Sequence, residues 1–251
     1  MSHSRDDGRD TPRRWALVRS AGCSIGLLLV LFACVGCATT RQSAEELNAG
    51  LAWFVPPAQA GGWPSATDTR TRLERTPLVV IAWSPASSPE GEASFPATRA
   101  MRESWIAAIK ENLARSGRVS RVEGSSPDAF DGGVTVAAIQ TLAAERHADL
   151  VLLFGLETTK RRYHAFEPLA GAGGPADVVS VVEVVALART VGLTPSGVPL
   201  FADTQKGFAS GDIRTRTVEE LEATSKRVAV DALADAIIHR LREIAPEGGS
   251  P

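Results

Sequence analysis

Three thiols, four imidazoles and one cationic run are the places where this chain could do chemistry. Cys23, Cys34 and Cys37 all fall within the first 37 residues, and no cysteine follows them. A thiolate is both a nucleophile and a soft metal ligand, so this distribution removes cysteine catalysis and Cys-based zinc from the body of the chain. The histidines are His3, His147, His164 and His239. No two stand four residues apart and no His-Glu-x-x-His occurs, so no helical metal pair is on offer. His147 and His239 fall near expected helix C-termini, where a cationic side chain is favoured by the dipole.

Other nucleophile and phosphate signatures fare no better. There is no Gly-x-Ser-x-Gly, and Ser196-Gly197 and Ser210-Gly211 read as turns. Gly171-Ala172-Gly173-Gly174-Pro175 leads into Asp177 and more strand rather than into a helix, so it reads as a loop and not as a phosphate cradle. Glu219 and Glu220 fall on the solvent side of a helix. The expectation is a non-enzymatic protein with no catalytic residue, no metal and no cofactor. One cluster remains: Lys160-Arg161-Arg162-Tyr163-His164, in a loop after a strand. It reads as a solvated strand end or, functionally, as a docking patch of Lys160, Arg161, Arg162 and Tyr163. Its ligand would be an anionic headgroup, a cell-wall polymer or an acidic partner, with Tyr163 and Phe166 assisting.

The cysteines need their own explanation. Arg13, Arg14 and Arg19 precede an uncharged stretch, residues 20–40, centred on Ile25-Gly26-Leu27-Leu28-Leu29-Val30-Leu31-Phe32. A positive segment, an apolar segment and then small residues define a secretory signal peptide. The end of the run, Phe32-Ala33-Cys34-Val35-Gly36-Cys37-Ala38, resembles the lipobox of bacterial lipoproteins. The resemblance implies thioether formation with diacylglycerol, cleavage before the cysteine and acylation of its amine. Cys37 is favoured by Val35 and Gly36. Cys34 is the alternative, with Leu31 and Ala33 before it but bulky Phe32 between them. Ala38, in place of the aspartate that retains lipoproteins in the inner membrane, implies the outer membrane, with the body on the periplasmic face. The rival is an uncleaved inner-membrane signal anchor, since residues 20–40 approach the ~20 needed to span a bilayer.

Hydrophobic residues make up 44% and charged ones 22%, so a packed core is expected. Net charge is −2, and loss of residues 1–36 with their five arginines and three aspartates takes it to −4. Nothing basic enough for a nucleic-acid reader is present. Residues 37–76, with Pro56, Pro57, Pro64, Gly61 and Gly62, read as a Pro/Gly-rich tether. Leu51-Ala52-Trp53-Phe54-Val55 interrupts it as a segment packed on its own domain or, alternatively, as a partner-binding peptide.

The folded domain is expected over 77–245, with a disordered tail at 246–251. Leu78-Val79-Val80-Ile81-Ala82-Trp83 and Leu150-Val151-Leu152-Leu153-Phe154-Gly155-Leu156 are continuous apolar runs that suit strands buried on both faces. A helix over 97–116 presents Met101, Trp105, Ala108, Ile109 and Leu113, with Gly117 as its C-terminal cap. Arg118 to Glu123 alternates as a strand, and 134–147 reads as a second helix with Ile139, Leu142 and Ala143 inward. Residues 178–191 and 198–209 read as a hairpin about Pro195-Ser196-Gly197. Thr217 and Glu220 form a capping box for the last helix, whose stripe is Leu221, Ser225, Val228, Leu233, Ile237, Leu241 and Ile244. The expected architecture is a single α/β (α+β) domain with a mixed sheet of about five strands and three helices, mainly on one face, in the order β-α-β-α-β-β-β-α.

That order resembles the envelope domain shared by the TolB amino-terminal domain, curli-secretion lipoproteins and penicillin-binding-protein activator lipoproteins. A closer resemblance, to the rhombotarget lipoproteins, rests on Arg41-Gln42-Ser43 with Phe54-Val55-Pro56, on Pro77 to Ala82, and on Arg121-Val122-Glu123. It continues through Ala148-Asp149-Leu150-Val151 and Leu200-Phe201-Ala202-Asp203. It implies a lipid-anchored, non-enzymatic protein that binds or assembles with other envelope proteins, in an oligomeric state left open. The alternatives are a membrane-anchored periplasmic hydrolase or transferase and a secretion-channel-type oligomer.

Overall fold

Two apolar runs lie side by side at the centre of the protein, each buried on both faces. In the computed structural model the described residues are 42–55, 62–66, 72–84, 97–130, 133–167 and 177–245, all belonging to one unit, Gln42–Pro251. Cys23, Cys34 and Cys37, and residues 85–96, 168–176 and 246–251, lie outside them.

The elements in chain order are α1 (Ala44–Leu51), β1 (Leu78–Trp83), α2 (Arg99–Arg115), β2 (Arg121–Gly124), α3 (Val136–Arg146), β3 (Leu150–Glu167), β4 (Asp177–Leu193), β5 (Pro199–Asp212) and α4 (Val218–Ile244). The sheet order is β2-β1-β3-β4-β5. β1 is parallel to β2 and β3, and β3, β4 and β5 are antiparallel neighbours. The expected mixed five-stranded sheet in one domain is therefore present, with four helices rather than three among the described residues.

Among the described residues two helices cover each face of the sheet, where the expectation placed them mainly on one. Val79, Ile81, Leu150, Leu152 and Phe154 face Ile106, Ile109 and Leu113 of α2 and Leu233, Ile237 and Leu241 of α4. Val80, Ala82, Val151 and Leu153 face the opposite way, onto Leu47 and Leu51 of α1 and Ile139 and Ala143 of α3. A strand apolar at every position needs cover on each side, and each such Leu, Ile or Phe contributes about 1.5–3 kcal/mol by leaving water.

The extra helix lies inside the stretch expected as a tether. Ser43 accepts from Glu46 N–H and Glu46 reaches back to Ser43 N–H, a capping box. Eight residues hold no helix by themselves, so tertiary contacts must supply the rest. Ala202 N–H donates to Gln42 Oε1 at 3.0 Å, and Gln42 Nε2 donates to Ala202 O. Leu47, Leu51, Phe54 and Val55 are buried, so this segment is part of the core. Further along, Leu73 N–H donates to Ile244 O at 2.8 Å, and Arg75 pairs with Asp149 at 2.8 Å. Every described piece of 42–76 is thus attached to the body.

Two side chains depart from their expected stripes. Met101 is 38% exposed and Val228 is 42% exposed. α2 seats Ile106, Ile109 and Leu113, one turn beyond Met101, and α4 packs along the four-residue row Leu221, Ser225, Ala229, Leu233, Ile237, Leu241, beside which Val228 falls.

The last helical turn of α3 ends on a left-handed residue that is not glycine, since His147 has φ 52° and ψ 37°. A Cβ at such a position is penalised, and glycine is the residue that suits it. His147→Gly is expected to raise stability by about 0.5–1 kcal/mol. Urea denaturation at neutral pH checks this, and a lower midpoint would show that the imidazole contributes more than the backbone strain costs.

Candidate functional site

β3 runs for 18 residues, far past the point where its apolar sequence stops. Glu157 to His164 is polar, yet β4 pairs with it residue by residue from Glu157↔Leu187 to His164↔Ser180. The cationic run, expected in a loop, is therefore in a strand. β5 adds a third strand as far as Val181↔Asp212.

Strand alternation divides the expected docking patch. Lys160 and Arg162 share the face of Leu152 and Phe154, on which α4 lies, while Arg161 and Tyr163 project from the other face. Lys160 Nζ meets Glu222 Oε2 at 2.6 Å, and Glu222 also pairs with Lys226. Burial pushes the Glu222 carboxyl up, but the hydrogen bonds and charges of the two lysines outweigh it and hold the group below its usual range. Lys226 Nζ lies 5.3 Å from the Trp105 ring centroid, and Trp105 packs on Trp83 at 5.4 Å. The foot of the extension is thereby joined to the core through charge and then aromatic contact.

On the other face, Tyr163 donates to Glu183 Oε1 at 3.2 Å. Its phenol is pushed above the usual range by desolvation and by the Glu183 carboxylate. Among the described residues no helix covers this face beyond α1. Phe208 is 50% exposed and Tyr163 42% exposed there, with Val181, Val185 and Leu187 half-buried between them. Nearer the body, Arg189 stacks on Trp53. Burial lowers its pKa to about 10, with Glu157 opposing the shift. Arg189 Nε and Glu157 Oε1 are enclosed without a hydrogen-bond partner.

The structure thus keeps Arg161 with Tyr163 and Lys160 with Arg162, but does not gather all four into one patch. Sequence reasoning missed Glu222 and Glu183, the carboxylates that engage the run. It also missed Phe208, whose only signal was an aromatic at the outward position of an alternating strand. Among the described residues no group of three or more His, Cys, Asp or Glu side chains could hold a metal ion, and no helix is long and apolar enough to cross a membrane.

No protein-family model matches the chain, and no curated protein matches it. Similar solved structures include a neuraminyllactose-binding haemagglutinin homologue from Helicobacter pylori, at 10% identity, 73% of this chain, 92% of that chain and a TM-score of 0.38. A minor lipoprotein from Acinetobacter baumannii is similar at 10% identity, 64% of this chain, 89% of that chain and 0.31. A lipoprotein from Neisseria meningitidis is similar at 14% identity, 66% of this chain, 98% of that chain and 0.31.

Proposed function

We propose that this chain is a lipid-anchored, non-enzymatic protein of the bacterial envelope, held at the periplasmic face of the outer membrane through acylated Cys37, that binds or assembles with other envelope proteins. The observation that carries the reading is the order of residues at the N-terminus. Arginines 13, 14 and 19, the apolar run, Val35-Gly36 and then Cys37-Ala38 follow one another as a lipoprotein leader requires. Two or three acyl chains anchor a protein stably without a spanning helix. The likeness to the rhombotarget lipoproteins adds to it.

The charged groups of the body support a role without catalysis. An acid or base at work near neutral pH needs a pKa moved toward neutrality. Here Asp149, which burial alone would push up, is held below its usual range by Arg75 and the Leu78 N–H, and Glu222 is held low by its two lysines. Asp203 pairs with Arg240 at 3.1 Å and ties β5 to α4. These carboxylates join elements to one another. A secretion-channel subunit is the second reading, favoured by three strands of 18, 17 and 14 residues, longer than the ~9–11 a membrane strand needs. The charges of β3 weigh against a lipid-facing arm, and a ring-sized native mass in detergent would favour the channel.

Metabolic palmitate labelling tests the anchor. Label is expected in the wild type and in Cys34→Ala, and absent from Cys37→Ala, with an intact mass that begins at residue 37. Retention in Cys37→Ala with loss in Cys34→Ala would move the acylation to Cys34. An unlabelled wild type with its first 36 residues still attached would replace the lipoprotein with a signal anchor.

A further inference from the structure

Among the described residues, β3 presents a long run of backbone hydrogen-bonding groups with no strand beside it. β1 ends at Trp83, opposite Phe154, and the last bond across that seam runs from Ser84 N–H to Phe154 O at 2.9 Å. Beyond Phe154, β3 continues to Glu167 and is paired only with β4 among the described residues. A strand turns its N–H and C=O groups to alternate sides, so the bond at Phe154 sets the parity for the rest of β3. Leu156, Thr158, Lys160, Arg162 and His164 direct theirs to the side that β1 has vacated, while the odd-numbered residues bond to β4. Such an edge is a template for another strand.

The side chains along it select the partner. Arg161 and Arg162 are exposed on opposite faces, and among the described residues neither closes an ion pair: Arg161 lies across the ladder from Glu183, whose carboxylate accepts from Tyr163. Lys160 is held by Glu222 at 2.6 Å. Two copies joined antiparallel about Arg161 or Arg162 would set arginine against arginine, and about Lys160 would set lysine against lysine, like charges directly opposed and destabilising. A neutral or basic strand meets the same obstacle or gains nothing. We propose that the open edge of β3, from Leu156 to His164, receives an extended segment of a partner protein whose acidic side chains lie against Arg161 and Arg162. This rests on the role as a binding protein proposed above and names its partner's chemistry: main-chain bonds hold the segment, and the two guanidinium groups, one per face, choose its charge.

The test uses the full chain in mild detergent and a fluorescent nine-residue peptide of threonine and valine with two adjacent central glutamates. Saturable binding is expected, weakened at least ~10-fold by Arg161→Glu combined with Arg162→Glu. The same peptide with two lysines, or with alternate backbone amides N-methylated, is expected not to bind. On binding, hydrogen exchange should slow at the even-numbered amides 156–164. Equal binding of the lysine peptide, indifference to charge reversal, or no binding of the glutamate peptide would overturn the proposal. So would protection of the edge without peptide that grows with protein concentration, which would make the occupant a second copy. If the double variant does not fold, the peptide variants still decide the matter. The Cys37→Ala chain should bind equally, so failure of the peptide and failure of the lipid anchor are told apart.

Discussion

Gly207→Ala is expected to cost the domain about 3 kcal/mol or more, and Gly207→Val to prevent folding. A Cβ built at Gly207 would lie 1.8 Å from Ser225 O and 2.7 Å from Ala229 N. Both are backbone atoms of α4, so no rotamer change relieves the clash and the helix must leave the sheet. The packing lost with it is substantial. Leu221, Ala229, Leu233, Ala234 and Leu241 of α4 are all buried. The face on which α4 rests is the one at the foot of the extension, where Val182, Val184 and Ala209 are packed by Leu221. A domain of this kind has only ~5–15 kcal/mol to lose, so the shift is visible as a large fall in the urea midpoint. Phe208→Ala serves as the neighbouring control, since that ring points to the uncovered face and its loss should change stability little. A Gly207→Ala midpoint equal to the control's would mean that α4 does not approach β5 this closely.

Much of this arrangement was legible from residue patterns, and the parts that were not share a cause. β1 and the first half of β3 announce themselves because six or seven consecutive apolar residues, too few for a buried helix and rich in Val, Ile and Leu, suit interior strands. Thr217 with Glu220, the turn at Gly197 with φ 88° and the cap at Gly117 with φ 66° are local signals and stand where expected. β3 beyond Leu156 was not legible, because Glu157-Thr158-Thr159-Lys160-Arg161-Arg162 has no apolar face. It is a strand because β4 pairs with it, which is information held some twenty residues away. Once it is a strand, the division of the cationic run between two faces comes from alternation alone. The helices on both faces were implied by the same apolar runs that revealed the strands. α1 carried its own capping box in Ser43 and Glu46, but the surrounding proline and glycine suggested a tether. Its stability comes from Ala202 and from the core it covers, neither of which is local. The proposed lipid anchor is different in kind, for the proposal rests on the sequence around Cys37 rather than on the fold.

At the foot of the extension, Glu222→Ala is expected to destabilise the domain by about 2–3 kcal/mol, because it leaves a buried cation without its carboxylate. Lys226 is only 8% exposed, and its ammonium lies against Trp105 and Glu222. Replacing both partners, Glu222→Leu with Lys226→Met, removes the desolvated charges together and should recover most of the loss, a coupling that a double-mutant cycle reads directly. The pH dependence has a definite sign. Although burial raises the Glu222 pKa, Lys160 and Lys226 lower it by more, so the folded value is below the ordinary one. A carboxylate of this kind stabilises the fold above its unfolded pKa of about 4.3, and the contribution is lost as pH falls through the folded value. The stability gap between wild type and Glu222→Gln should therefore be largest near neutrality and close in acid. A gap that stayed constant from neutral pH to about pH 3 would mean that the ion pair is not formed. The same substitution removes the ion pair by which Lys160 joins the open half of β3 to α4. Amide exchange along 158–164 should then quicken even at neutral pH, where the rest of the sheet is still protected. Stability and partner binding would thus be linked at one carboxylate, because the edge that receives a strand must first be held straight.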